Sequence, residues 1–193
     1  KAPLITAQEG VSADAALGLL RRNKIEKLPI VDGRGRLTGL GLAESQPGGS
    51  GLSRLEPMES RERAEREILD ACDADPDTVV GLDFSFSMPE WFVRQCGAAS
   101  GPEFWKVVEA QGERWLEACE PPFWGRPGRR QPRSDQPQLR RSEEEVAAML
   151  ARPPMSTFRV GGAGTVGTGS IRGMPMLARL RERGLRIWPF DEG

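Results

Sequence analysis

The chain has 193 residues and a formal net charge of −1, from 27 basic and 28 acidic residues. This balance gives no overall attraction to nucleic acid or to an anionic membrane, so local charge must supply any such binding. The chain contains no histidine and no tyrosine, which excludes a Ser-His-Asp triad, a Cys-His pair and a phenolic acid. No apolar run approaches the roughly 18–20 residues of a membrane helix, and we expect a cytoplasmic protein.

Residues 1–40 predict the order strand, helix, strand, strand. Ser12 is a candidate cap for a helix with one apolar face. That face recurs at helical spacing in Ala13, Ala16, Leu17 and Leu20. Two strand patterns then meet across Asp32-Gly33, which is typical of a β-hairpin.

The run "KIEKLPIVDGRGRLTGL", residues 24–40, resembles the CBS motifs of bacterial IMP dehydrogenase. In that family, paired CBS motifs bind adenine or guanine nucleotides and regulate rather than catalyse. The family's last strand leads into a threonine and an aspartate that help to hold the ribose and phosphates. Here Leu42 and Ser45 stand at those two positions. The resemblance implies a partial CBS motif over residues 1–40.

Residues 41–57 are polar and glycine-rich without a helical or strand period, and they predict a junction. From residue 58 to residue 193, strand and helix patterns alternate. Such alternation favours an α/β fold in which helices pack on a sheet. The apolar run "TVVGLDFSFS", residues 78–87, predicts its central strand.

The remaining elements of this second module follow from periodicity and capping. A further strand is predicted over residues 185–190. Ser142 and Glu145 form the pattern of a capping box. Helices are predicted over residues 59–72, 102–119, 143–151 and 174–183, the last ended by Gly184.

Three phrases of the second module resemble a family of uncharacterised bacterial proteins that are predicted to be RNase H-like nucleases. They are "VVGLDFSFSMPEWF", "PPFWGRPGRR" and the glycine-rich stretch that ends in "WPFD", so the resemblance covers about residues 73–191. It implies an RNase H-like sheet and hydrolysis by two Mg²⁺ or Mn²⁺ ions. Asp83 would be the catalytic carboxylate and a metal ligand, with Asp191 as a second candidate ligand. The module would lack its first strand and its C-terminal part, so we expect impaired catalysis.

A glycine-rich loop offers an alternative, because it has the G-x-G-x-x-G spacing of a dinucleotide site at Gly162, Gly164 and Gly167. In that interpretation the glycines approach a pyrophosphate and Asp191 binds the ribose. Arg159 is unusual for a buried strand before such a loop. Three residues that weaken helices also stand where the crossover helix should run: Gly169, Gly173 and Pro175.

The segment "WGRPGRRQPRSDQPQLRR", residues 124–141, is a basic loop interrupted by proline. Arg126, Arg129 and Arg130 are candidate contacts to nucleic-acid phosphates, and Trp124 is a candidate for stacking on a base. The alternative is a solvated loop whose charge offsets acidic helices.

Three hypotheses about function therefore remain open, and the sequence does not decide whether the chain is an enzyme. The first is an impaired RNase H-like nuclease joined to a CBS half-motif. The second is a nucleotide-binding regulatory fragment of IMP dehydrogenase type, and the third is a dinucleotide-binding oxidoreductase. The cysteines lack metal-binding spacing and are expected to be reduced thiols; they are Cys72, Cys96 and Cys119.

Overall fold

A computed structural model describes residues 7–8, 15, 18–19, 22, 30–31, 41–45, 52–58, 60–149, 154–162 and 165–191. The chain divides into two compact units, residues 1–79 and residues 80–193. The divisions predicted after residues 40 and 57 stay predictions. The predicted helix face that follows Ser12 and the Asp32-Gly33 turn lie outside the described residues.

Among its described residues, the first unit contains two pairs of short strands. Strand β1 (Ala7–Gln8) pairs in parallel with β2 (Ile30–Val31). Strands β3 (Gly41–Ser45) and β4 (Leu52–Pro57) form an antiparallel pair. The sequence between β3 and β4 is QPGGSG, and its proline and glycines are residues that favour turns. The segment predicted as a junction therefore contains an antiparallel pair of strands.

Helix α1 (Arg61–Ala74) follows β4 in the first unit. It begins after Ser60, whose Oγ accepts a hydrogen bond from the amide of Arg63 at 3.1 Å. This contact satisfies one of the amides that a helix start leaves without a partner. Ile68 is buried on the apolar face. The helix predicted over residues 59–72 is confirmed, with its start and end each about two residues later.

The described part of the second unit is helical. Its helices are α2 (Glu90–Gln95), α3 (Gly101–Ala118), α4 (Arg141–Ala147) and α5 (Gly167–Glu182). Helices α3 and α5 pack against each other. Loops lead from α3 to α4 and from α4 to α5, and they carry most of the predicted site residues.

Helix α3 matches its predicted span closely because its start is encoded locally. Ser100 Oγ accepts from the amide of Glu103 at 3.4 Å, while Glu103 Oε2 accepts from the amide of Ala99 at 2.8 Å. Pro102 stands in the first turn, where a missing amide proton costs nothing. The buried face then repeats at helical spacing through Phe104, Trp105, Val108, Gly112 and Leu116.

An aromatic cluster around Phe92 forms the core beside α2 and α3. The Phe92 ring lies 5.3 Å from the Trp115 ring and 5.5 Å from the Phe123 ring, both in edge-on geometry. It also lies 5.3 Å from the ring of Phe158. Edge-to-face pairs of this kind stabilise by about 0.5–1.5 kcal/mol each beyond the area that they bury. The cluster thus joins two helices to the loops on either side of α4.

Helices α3 and α5 approach closely at Gly112. A Cβ atom at this position would lie only 2.7 Å from Ile171 Cγ2. The carbonyl of Ile171 would be the acceptor for residue 175 in a regular helix, but Pro175 has no amide proton. This carbonyl oxygen faces Gly112 instead, 3.8 Å from the position of such a Cβ. Pro175 thus lies inside α5 next to the close contact with α3.

The predicted α/β class, a partial CBS motif followed by an RNase H-like sheet, is wrong. The described part of the chain is mainly helical, and its two strand pairs lie in the first unit. Among the described residues of the second unit, the only β-type pairing is an isolated bridge between Trp124 and Arg159. Neither residues 78–87 nor residues 185–190 form the predicted strands.

Two backbone groups of residues 78–87 bond to side chains rather than to a neighbouring strand. The amide of Ser85 donates to Ser170 Oγ at 3.0 Å, and the carbonyl of Phe86 accepts from Trp105 Nε1 at 2.6 Å. Val79 is 94% exposed, although the strand prediction required its burial. A short apolar run has no periodicity that separates a buried strand from an irregular segment packed on helices.

Two other helix boundaries also differ from their predictions. Helix α4 begins with Arg140 as its cap, and Glu143 Oε2 accepts from the amide of Arg140 at 2.8 Å, so the predicted Ser142 cap is wrong. Helix α5 begins at Gly167, seven residues before the predicted start at Met174. Tertiary packing against α3 outweighs the low helix propensity of its glycines and proline.

Among the described residues, none of the helices is both long enough and apolar enough to cross a membrane.

We expect Gly112→Ala to destabilise the second unit by about 1–3 kcal/mol, because the added methyl group overpacks the contact between α3 and α5. Urea unfolding followed by tryptophan fluorescence measures the change. All five tryptophans of the chain report on this unit, since they lie between Trp91 and Trp188.

Gly169→Ala is the matched control on α5. Apart from its chain neighbours and the backbone of its own helix, no described heavy atom lies within 4 Å of a Cβ at this position. We expect no loss of stability and a gain of up to about 1 kcal/mol from the better helix propensity of alanine. Equal unfolding midpoints for the two variants would contradict the packing described at Gly112.

Candidate functional site

The structure brings two predicted sets of site residues together in the second unit. We define the arginine–glycine cluster by two loop segments that touch each other. The cluster comprises Trp124, Gly125, Arg126 and Arg129 from the first segment, and Arg159, Gly161 and Gly162 from the second. The arginine loop and the glycine loop, which the sequence separates by about thirty residues, thus share one surface.

The first segment is a tight turn that its sequence encodes. The amide of Arg129 donates to the carbonyl of Arg126 at 2.9 Å. Pro127 fixes the first corner, and Gly128 adopts a positive φ of 76° at the second corner. Proline followed by glycine at the two corners is the pattern of a type II turn. The turn places Arg126 and Arg129 at its two ends, and both are exposed.

The second segment is held to the first by main-chain hydrogen bonds. The amide of Trp124 donates to the carbonyl of Phe158 at 3.0 Å, and the amide of Val160 donates to the carbonyl of Trp124 at 2.8 Å. A Cβ on Gly161 would lie 2.5 Å from the amide nitrogen of Arg126. Only glycine permits this approach, so the glycine is needed for the loop packing itself.

Arg159 lies at the centre of the arginine–glycine cluster. Its guanidinium carbon is 5.4 Å from the centroid of the Trp124 ring, in a cation–π contact. A Cβ on Gly125 would lie 3.1 Å from Arg159 Cγ, and a Cβ on Gly162 would lie 3.3 Å from Arg159 Nη2. The side chain therefore passes over one glycine and ends beside the other.

The predicted dinucleotide glycines are only partly described. Gly162 is exposed with a φ of 92°, and Gly164 lies outside the described residues. Gly167 is buried, and a Cβ there would collide with the carbonyl oxygen of Thr157. Gly167 is thus required where α5 packs on the preceding loop. The role of the three glycines in cofactor binding stays a prediction. Among the described residues before the loop there is no full strand of the kind that precedes a dinucleotide site.

Asp191 lies apart from that cluster, next to α5. Its Oδ1 accepts from Arg181 Nε at 2.7 Å, and its Oδ2 accepts from the amide of Ile187 at 2.9 Å. The amide of Ile187 and the Arg181 guanidinium hold the pKa of this carboxyl below its ordinary value. Both oxygens thus have partners within the chain, and the carboxylate closes the turn that follows α5.

A cavity of about 550 Å³ lies beside Asp191, between the start of α3 and the end of α5. Charges of both signs line it, and several are paired with each other. Lys106 Nζ lies 3.6 Å from Glu182 Oε1, and Arg181 pairs with Asp191. A lining in which these charges offset one another gives no strong preference for an anion or a cation.

Asp83, the predicted catalytic carboxylate, is exposed in the segment before Phe84. Among the described residues, no group of three or more histidine, cysteine, aspartate or glutamate side chains could hold a metal ion. The roles predicted for Asp83 and Asp191 with Mg²⁺ or Mn²⁺ therefore stay predictions without structural support. Two-metal hydrolysis needs several carboxylates that converge on one point.

The thiols offer little nucleophilic chemistry. Burial and then the charge of Asp73 raise the pKa of the Cys72 thiol, and burial raises the pKa of the Cys96 thiol. Raised pKa values keep these groups in the unreactive thiol form at neutral pH. Cys119 is buried, and all three cysteines are free.

Sequence reasoning missed Arg159 as a site residue. In the sequence, Arg159 served only as an argument against a buried strand, although it stands just before the glycine-rich loop. An arginine adjacent to glycines that expose backbone amides was the signal that could have found it. Its contact with Trp124 depends on a pairing across more than thirty residues, which local patterns do not reveal.

Comparisons with known proteins identify one short region of similarity. A 40-residue segment, 21% of this chain, is 95% identical to inosine-5'-monophosphate dehydrogenase of Mycobacterium tuberculosis. The corresponding enzyme of Mycobacterium leprae is 90% identical over 40 residues, and that of Aquifex aeolicus is 55% identical over 40 residues. Each match covers only 8% of the enzyme's own length.

The similarity to IMP dehydrogenase is therefore shown for one segment, and the chain spans about 8% of the length of the relatives that it matches. No family model matches the chain, and no solved structure matches it. The RNase H-like resemblance of the second module thus has no support from these comparisons or from the fold.

We expect Asp191→Asn to destabilise the second unit near neutral pH and to have little effect in strong acid. A carboxyl whose folded-state pKa is lowered contributes stability above its unfolded pKa and loses that contribution as the pH falls through the folded value. Urea unfolding at about pH 7 and about pH 2 measures the difference between the variant and the parent chain.

Asp135→Asn serves as the control for this prediction, because Asp135 is exposed and has no ion pair in the described part of the chain. Surface changes of this kind usually alter stability by less than about 0.5 kcal/mol. A difference for Asp191→Asn that stays constant across the pH range would show that the carboxylate charge is not what stabilises the turn.

Proposed function

We propose that this chain is a nucleotide-binding regulatory module of IMP dehydrogenase type, in which the N-terminal part binds an adenine or guanine nucleotide without catalysis. One observation carries this proposal, the 95% identity to inosine-5'-monophosphate dehydrogenase over 40 residues. Identity at this level over a segment of CBS-like sequence favours a shared local structure and a shared ligand class.

The chemistry of the chain supports a binding role more than a catalytic one. It contains no histidine and no tyrosine, and the carboxylates of the described residues do not form a metal-binding group. General acid–base catalysis at neutral pH needs a group whose pKa lies near that pH. Among the described side chains with a resolved pKa shift, none moves toward neutrality, since the thiols shift upward and Asp191 shifts downward.

Two residues set the strength of the proposed nucleotide binding. Leu42 and Ser45 stand where the resembled family has a threonine and an aspartate that hold the ribose and phosphates. Both lie in strand β3, which pairs with β4. A leucine offers no hydrogen bond, and a serine hydroxyl is a weaker acceptor than a carboxylate. We therefore infer weak binding by the chain as it stands.

Restoring the family residues tests the proposal directly. We expect the double variant Leu42→Thr/Ser45→Asp to bind ATP or GTP at least tenfold more tightly than the parent chain, a gain of about 1.4 kcal/mol. Isothermal titration calorimetry on the full chain measures this affinity. Tryptophan fluorescence is unsuitable, because the first unit contains no tryptophan.

The matched control is Leu52→Thr/Ser53→Asp, which makes the same chemical changes on strand β4. We expect it to leave nucleotide affinity unchanged. The proposal fails if neither the parent chain nor the restored variant binds either nucleotide while circular dichroism shows that both are folded. It also fails if the control variant gains as much affinity as the restored one.

A further inference from the structure

Arg159 carries a charge that the described residues do not neutralise. Its Nη1 lies 3.1 Å from the sulfur of Met155, which is a weak acceptor. Its Nε is buried without a hydrogen-bond partner in the described part of the chain, and so is Nε1 of Trp124 beside it. A half-buried guanidinium is normally bonded to a carboxylate, because an uncompensated charge is costly to remove from water.

Six described arginines of the second unit pair with carboxylates. Arg172 donates to both carboxylate oxygens of Glu113 at 2.8 and 2.9 Å. Arg140 pairs with Glu143 at 2.7 Å. Other pairs of the same kind are Arg94 with Glu90, Arg141 with Glu145, Arg179 with Glu109 and Arg181 with Asp191. Arg159 differs from these six arginines because no described carboxylate pairs with it, and its Nε is buried.

The neighbours of Arg159 add positive charge. Arg126 and Arg129 end the adjacent turn, and Arg130 follows it. All three are exposed and have no ion pair with a described residue. From residue 124 to residue 133 the sequence contains no acidic residue. The surface is therefore rich in hydrogen-bond donors and poor in acceptors.

The arrangement is also held in place before any ligand arrives. The Trp124 ring supports the guanidinium on one side, and the hydrogen bonds between residues 124, 158 and 160 fix the two segments together. Phe158, next to Arg159, is fully buried in the aromatic core. A donor positioned in this way loses little conformational entropy when it binds.

We propose that the arginine–glycine cluster binds a phosphate group, with the guanidinium of Arg159 as the central donor and Arg126 and Arg129 as flanking donors. The planar fork of a guanidinium matches two oxygens of a phosphate, and such charge-assisted bonds are among the strongest in proteins. The exposed glycine Gly162, beside Arg159 Nη2, leaves room for a phosphate to approach the backbone. This site is separate from the nucleotide site proposed for the first unit.

The phosphate belongs either to a small nucleotide or to the backbone of a single-stranded nucleic acid, and the probes distinguish these sources. Pyrophosphate, ATP and a short oligothymidylate are titrated into the full chain, with calorimetry and tryptophan fluorescence as readouts. Tighter binding of pyrophosphate and ATP than of the oligonucleotide identifies a small ligand. Tighter binding of the oligonucleotide, weakening steeply with salt, identifies a nucleic-acid backbone.

Arg159→Gln is the central variant, and we expect it to weaken binding of the preferred probe at least tenfold. Arg159→Lys keeps the charge but lacks the fork, so we expect an intermediate loss. The double variant Arg126→Gln/Arg129→Gln changes only exposed side chains and should weaken binding several-fold without affecting folding. It keeps the proposal testable if Arg159→Gln fails to fold.

Two controls remove the same charge elsewhere. The first control is Arg133→Gln, because Arg133 lies in the basic loop beyond the turn. The second is Arg172→Gln, because Arg172 lies on α5 and its charge is paired with Glu113 in the parent chain. We expect both to bind within twofold of the parent chain. The Leu42→Thr/Ser45→Asp variant should also leave binding at this cluster unchanged, which separates the two proposals.

Three results would overturn the proposal. The first is that the parent chain, shown to unfold cooperatively in urea, binds none of the three probes. The second is that Arg133→Gln weakens binding as much as Arg159→Gln, which would indicate general attraction by positive charge. The third is that the double variant at Arg126 and Arg129, while folded, binds as tightly as the parent chain.

Discussion

The second unit depends on the packing of aromatic rings around Phe92. Helix α2 has only six residues, too few to be stable alone because helix nucleation is costly. Its ring contacts with Trp115 of α3 and with Phe123 and Phe158 of the two loops supply the missing stability. The same contacts determine where the loops on either side of α4 lie.

The surface site is a consequence of that core. Once Phe123 and Phe158 are buried, the residues that follow them, Trp124 and Arg159, are brought together in the isolated bridge. Gly161 then allows the backbones to approach without a Cβ between them. Positive charge accumulates at this point because the arginine turn and the glycine loop bring no carboxylate with them.

The two functional proposals, one for each unit, rest on different kinds of observation. One 40-residue segment is 95% identical to inosine-5'-monophosphate dehydrogenase, and the proposal of nucleotide binding rests on that similarity. No family model and no solved structure matches the chain. For residues 80–193, the proposed phosphate site therefore rests on the geometry and charge of the arginine–glycine cluster. Phosphate chemistry is common to both proposals, but each rests on its own residues and is tested by its own variants.

The sequence alone determined the excluded chemistry, the resemblance to IMP dehydrogenase and the helices α1 and α3, because composition, segment identity and caps such as Ser60 and Ser100 are local properties. It did not determine that residues 78–87 are irregular, since an apolar run does not reveal whether strands or helices will cover it. The early start of α5 and the lack of a described carboxylate partner at Arg159 were also decided only by tertiary structure. Both depend on contacts between residues far apart in the chain, and packing there outweighs local propensity.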